Sequence, residues 1–169
     1  KLDAEKVVDL LNCHFTHMTN VIFDNKGTLD KFIGDAIMAF WGAPLKVANH
    51  AELAVHAAIE MYRELDQVNA ELTTKGYPAV EIGIGLNSGN VILGNIGSER
   101  KMDYTVIGDA VNLGARVEAL TRQFNAHLII TEATYKYVQD LIEVKPLEAI
   151  KVKGKEIPVM IYEVLGLKS

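Results

Sequence analysis

Twice in the first 72 residues the apolar positions repeat on a helical period, and between the two repeats lies a pair of short extended runs. Val7, Val8, Leu11, Phe15, Met18 and Ile22 mark one face of a helix, with Asp3 placed to cap it. Ala54, Ala57, Ala58, Met61, Leu65, Val68 and Leu72 mark a second helix over residues 50–72. Between them, residues 28–33 and 36–41 are parted by nothing but Gly34-Asp35, the pattern of a tight hairpin. Such a chain is committed to mixed helix and sheet.

Beyond the breaker Lys75-Gly76-Tyr77-Pro78 the period changes again. Residues 80–86, 91–96, 97–101 and 104–107 read as consecutive strands, with a hairpin turn at Asn87-Ser88-Gly89-Asn90. Residues 109–124 carry the helical stripe Ala110, Leu113, Val117, Leu120 and Phe124. A short strand at 128–130 and a short helix at 131–138 follow. Residues 142–152 and 157–164 give two last strands around Lys153-Gly154-Lys155. The order predicts an α+β fold, a mainly antiparallel sheet with helices packed on one face. At 169 residues and 49% apolar composition, one domain over residues 1–169 is expected.

Composition excludes several functions. A formal net charge of -5 argues against a broad basic surface for nucleic acid, so a polyanionic ligand would need a few locally placed cations. The single cysteine, Cys13, excludes an internal disulfide framework and fits a reducing cytoplasm. The longest apolar run, residues 36–45, contains Gly42 and Pro44 and falls short of the roughly 18 residues of a spanning helix, so no membrane contact is expected from this segment. Lys1 leads into a charged amphipathic stretch, unlike a signal peptide.

Several residues admit both a chemical and a structural reading. The glycines of residues 83–97 lack both nucleotide-loop spacings and read as hairpin glycines. Cys13, His14 and His17 share one helix with no second pair to complete a tetrahedral metal site. His50, His56 and His127 read as surface or helix-end residues. Asp35 is either an ordinary turn aspartate or, between two apolar strands, a ligand for a divalent cation. Asn112 and Arg116 lie four apart near a helix start, where a guanidinium can meet phosphate in a bidentate manner. Arg116 can equally pair with Glu118 or Glu132. Lys153 alone is a basic turn.

Taken jointly, Lys31-Phe32-Ile33-Gly34-Asp35, Gly42-Ala43-Pro44, Gly108-Asp109-Ala110-Val111-Asn112 with Arg116, and Val152-Lys153-Gly154-Lys155 strongly resemble the catalytic domain of class III nucleotidyl cyclases. The resemblance runs from about residue 2 to residue 164. It implies a ferredoxin-like sheet related to the polymerase palm, working as a head-to-tail homodimer with active sites between subunits. By that resemblance Asp35 is a metal aspartate holding two Mg²⁺ or Mn²⁺ ions over a triphosphate. Lys31 reads the purine with Thr105 as companion, Asn112 orients the ribose, Arg116 stabilises charge on the α-phosphoryl group, and Lys153 contacts the terminal phosphates.

A lysine donates to the unprotonated N1 of adenine and threonine accepts from its 6-amino group, whereas guanine carries a proton at N1; the pair therefore favours ATP. The resemblance thus implies an adenylate cyclase. Threonine at position 105 resembles the subgroup in which bicarbonate stimulation occurs, so bicarbonate is an expected effector, and upstream sensor or regulatory domains are expected partners. One departure stands out. The family's first metal aspartate comes from a strand and an aspartate-isoleucine-x-glycine-phenylalanine loop before helix one, and these 169 residues hold no such segment. The expectation is that a first strand lies before Lys1. Alternatives are a noncatalytic cyclase-like regulatory or dimerisation module, and a guanylate cyclase, the latter disfavoured by Lys31.

Overall fold

The computed structural model describes residues 2–169. The chain divides into two compact units, one ending at Glu81 and the other spanning Ile82–Ser169.

The first unit holds helix α1 (Ala4–Asp24), strands β1 (Thr28–Ile33) and β2 (Ala36–Phe40), and helix α2 (His50–Thr74). Asp3 caps α1 as its position suggests, its carboxylate accepting from the Lys6 amide at 3.0 Å. Side-chain pairs give the helices an antiparallel register: Asn25 donates to Glu60, His17 meets Glu64 and Glu71, and Lys75 reaches back to Asp9. Met18, Val21 and Ile22 of α1 and Val55, Val68 and Leu72 of α2 are buried. Each such side chain contributes about 1.5–3 kcal/mol relative to exposure. Both helices end alike: the amide of Gly27 reaches the Ile22 carbonyl and that of Tyr77 the Leu72 carbonyl, each across a left-handed residue, Lys26 or Gly76.

β1 and β2 form the expected hairpin. Ile33 faces Ala36, which leaves Gly34-Asp35 as a two-residue loop, and Gly34 supplies the positive φ of 61° required at the first loop position. Asp30 is the extra residue of a bulge between Leu29 and Lys31. Phe32 stacks on Phe15 of α1 with ring centroids 4.1 Å apart, fixing one face of the hairpin to the helix.

The second unit comprises β3 (Ile84–Leu86), β4 (Ile92–Ser98), β5 (Lys101–Ile107), α3 (Asp109–Gln123), β6 (Leu128–Thr131), α4 (Glu132–Val138), β7 (Ile142–Ile150) and β8 (Val159–Leu167). The fold class is α+β as expected, and every described pairing except one is antiparallel. Backbone hydrogen bonds order the strands as β1-β2, β3-β6-β8-β7 and β4-β5. One expectation needs correction: residues 87–90 are not a hairpin turn, because β3 pairs in parallel with β6 and not with β4. Side chains hold this connection elsewhere: Asn87 donates to the Ala110 carbonyl and accepts from Thr131, and the Ser88 and Thr134 hydroxyls lie 2.9 Å apart.

Leu113 and Val117 of α3 pack with Ile129, Ile150, Val159 and Ile161 as this unit's core. The backbone of α3 comes so close to β3 that a Cβ on Gly85 would sit 2.6 Å from the Glu118 Cα, and one on Gly83 would collide with Thr121. These two glycines therefore admit a helix, a correction to their reading as hairpin glycines.

Candidate active site

Six residues carry the chemistry read from the sequence, and the fold distributes them over both units. Lys31 and Asp35 belong to the first, on the β1-β2 hairpin. Thr105, Asn112, Arg116 and Lys153 belong to the second.

Asp35 occupies the second position of the two-residue loop and is exposed. Its turn places the carboxylate near α1: burial pushes the His14 imidazole below its ordinary value, and the Asp35 charge opposes that shift. Lys31 is also exposed, its ammonium 3.9 Å from the carboxylate of Asp30, the bulge residue beside it, whose side chain is buried. Position 31 lies within β1 and position 35 in the loop, so one short hairpin presents a cation on its strand and an anion at its tip.

In the second unit α3 does the positioning. Leu113 and Val117 anchor it in the core, which leaves Asn112 and Arg116, one turn apart, exposed together. Arg116 Nη1 donates to the Lys151 carbonyl. The acids that could have claimed this arginine are engaged otherwise. Glu118 pairs with Arg122 at 3.3 Å, and Glu132 accepts from the Met160 amide at 3.0 Å. A guanidinium has five N–H donors, so a single carbonyl leaves it competent to bind an oxyanion.

The same contact joins Arg116 to the segment bearing Lys153. Val152 packs on the core, and the Lys155 amide donates to the Val152 carbonyl at 3.1 Å, closing a turn with Gly154 at φ 85°. Lys153 occupies the exposed corner of that turn, with glycine where the geometry demands positive φ. Arg116 is thereby tethered to the chain two residues before Lys153, and both cations are exposed.

Thr105 differs. It lies on β5 at 5% exposure, opposite Gly94 of β4, where an added Cβ would meet nothing within 4 Å. The missing side chain leaves space on that part of the hairpin.

The sequence reading missed a second constellation, on α1 and α2. His17 Nδ1 lies 2.7 Å from Glu64 and its Nε2 2.9 Å from Glu71, while the Cys13 thiol donates to Glu71 at 3.2 Å. The Glu64 hydrogen bond above all holds His17 above its usual value, against the opposing effect of burial. Burial foremost pushes the Cys13 thiol up.

Comparison with known proteins places these observations in context. A family model described as the adenylate and guanylate cyclase catalytic domain matches residues 1–166. An adenylate cyclase of Anabaena cylindrica is 36% identical over 96% of the chain. The crystal structure of the adenylyl cyclase CyaB from P. aeruginosa superposes with a TM-score of 0.88 at 34% identity, covering 99% of this chain and 86% of that one. That of a guanylyl cyclase superposes at 0.90 and 36% identity, covering 99% and 84%. The chain spans a third or less of the curated relatives: 33% of the Anabaena protein, and 24% and 8% of adenylate cyclases from Rhizobium meliloti and Dictyostelium discoideum.

Proposed function

The chain belongs to the adenylate and guanylate cyclase catalytic domain family, and from that premise we propose that it converts ATP to 3',5'-cyclic AMP and pyrophosphate. The ribose 3'-hydroxyl oxygen forms a bond to the α-phosphorus, the bond from that phosphorus to the bridging oxygen of pyrophosphate breaks, and the hydroxyl proton is lost. Arg116 stabilises the charge that builds on the α-phosphoryl oxygens, and Lys153 holds the terminal phosphates. Asn112, one turn from Arg116, orients the ribose.

The observation that carries this reading is the state of Arg116. Its guanidinium is held at the Lys151 carbonyl, two residues before Lys153 in the chain, while Glu118 and Glu132 are both engaged with other groups. An exposed cation that donates to a carbonyl, with its candidate acid partners engaged elsewhere, fits an anionic ligand better than a surface ion pair.

Base choice rests on Lys31 and Thr105. Lysine donates to adenine N1, and Thr105 accepts from the 6-amino group through the space that Gly94 leaves open. Asp35 is a hard oxygen donor of the kind Mg²⁺ and Mn²⁺ take, and its carboxylate would hold such ions. When bound, they neutralise triphosphate charge and acidify the attacking hydroxyl.

A second copy of the chain is the proposed partner. The β4-β5 hairpin exposes Ile92, Met102 and Tyr104, and the first hairpin exposes Phe32 and Ile33, apolar surface that a homodimer would cover. In a head-to-tail pair, Asp35 of one copy would serve the site built by Lys31, Thr105, Asn112, Arg116 and Lys153 of the other. Bicarbonate is a proposed stimulant of that site.

The test is production of cyclic AMP from ATP and Mn²⁺ by the full-length protein. Turnover that collapses in Asp35→Ala supports the reading. Metal-dependent ATP binding without turnover would select a regulatory module instead. The 36% identity to a guanylyl cyclase of known structure favours one rival, GTP as substrate. A higher kcat/KM for GTP than for ATP would establish it.

A further inference from the structure

Helices α1 and α2 carry a cluster that nucleotide chemistry does not use. Cys13 and His17 stand one turn apart on α1, and Glu71 faces both from α2; one ligand atom from each lies within 4.8 Å of the other two. Thiol sulfur, imidazole nitrogen and carboxylate oxygen form a zinc-type donor set, unlike the all-oxygen surroundings that Mg²⁺ prefers. We propose that Cys13, His17 and Glu71 bind a zinc-class divalent cation that clamps α1 to α2, with water as the fourth ligand.

The geometry needs little adjustment. In a tetrahedral site with bonds of about 2.0–2.3 Å, neighbouring ligand atoms stand about 3.3–3.5 Å apart. His17 Nε2 lies 2.9 Å from one oxygen of the Glu71 carboxylate and Cys13 Sγ 3.2 Å from the other, and with one ligand atom taken from each residue all three lie within 4.8 Å of one another, so a single carboxylate oxygen turned between sulfur and nitrogen completes the set. Glu64 supplies the outer support, since its carboxylate lies 2.7 Å from His17 Nδ1, fixing the ring and leaving Nε2 directed at the cluster. Two ligands at i and i+4 on one helix chelate from one side, and the third arrives from the neighbouring helix. The charges agree: Glu71 faces the ion, Glu64 stands behind His17, and the nearby Lys75 ammonium is drawn by Asp9 at 3.4 Å. Of the three donors that the sequence places on one helix, Cys13 and His17 join the cluster and His14 does not, and the antiparallel packing supplies Glu71.

The test is calorimetric titration of Zn²⁺ into the full-length protein, compared with its Glu71→Gln variant, with Mg²⁺ in excess to fill hard-oxygen sites. One equivalent per chain is expected, and Co²⁺ in its place should show thiolate-to-cobalt charge-transfer absorption. Cys13→Ser should abolish that absorption. Glu71→Gln, at an exposed position that keeps the fold, should weaken binding more than about 100-fold, and Glu64→Gln about 10- to 100-fold. Asp35→Ala should bind Zn²⁺ as the parent does. Binding no tighter in the parent than in Glu71→Gln, charge-transfer absorption that survives in Cys13→Ser, or loss of the ion in Asp35→Ala would each overturn the proposal.

Discussion

The hairpin of the first unit and helix α3 of the second present charged groups in opposite ways. Asp35 sits at the tip of a two-residue loop whose geometry is set by Gly34, so the carboxylate contributes little to what holds the hairpin together. Arg116 is built into its surroundings: α3 is seated on Gly83 and Gly85, its inner face is core, and its guanidinium binds the Lys151 carbonyl. One region offers its chemistry from a loop with few supports, and the other makes the chemistry part of the packing. Removing a functional group should therefore separate activity from stability in the first region and couple them in the second.

The largest expected effect belongs to the loop. Asp35→Ala should lower cyclic AMP formation at least about 100-fold, yet move the free energy of denaturant unfolding by no more than about 0.5 kcal/mol, as at other exposed positions. Arg116→Ala should lower kcat by about 100-fold and also cost about 0.5–1.5 kcal/mol of unfolding free energy through the lost hydrogen bond. If the two variants proved equally stable, the contrast between the regions would fail. Gly85→Ala touches no substrate, but its Cβ would strike the α3 backbone, so a cost of about 1–3 kcal/mol is expected, with a parallel fall in kcat as α3 shifts. Smallest is Lys31→Glu, which should move the ATP-to-GTP ratio of kcat/KM by about 10-fold toward GTP without altering the unfolding midpoint.

The two regions also differed in how far the sequence disclosed them. The long helices, the Asp3 cap of α1 and the Gly34-Asp35 hairpin were legible because each is encoded within a few residues, as a period, a cap or a turn. The partner of β3 was not, since β6 lies about forty residues further on and an extended run carries no mark of which strand it will join. Gly83 and Gly85 were misassigned for the same reason: a glycine that admits a helix looks like a turn glycine until the helix is placed, although its position inside a strand pattern was the available signal. At the site, no single residue could be told from a bland surface group, and Asp35, Arg116 and Lys153 acquired meaning through joint occurrence. The structure then removed one alternative by engaging Glu118 and Glu132 elsewhere. Glu71 could not have been found beside Cys13 and His17, because only the register of two antiparallel helices brings it there.

The central claim is that the hairpin aspartate and the α3 arginine serve one reaction from two copies of the chain. Its most direct test mixes full-length Asp35→Ala with full-length Arg116→Ala, each inactive alone, and measures cyclic AMP formation after subunits exchange. With random pairing, half the dimers are mixed and each mixed dimer keeps one intact site of two, so recovery of about a quarter of parental activity is predicted. A mixture as inactive as its components, under conditions where exchange is demonstrated, would contradict the account.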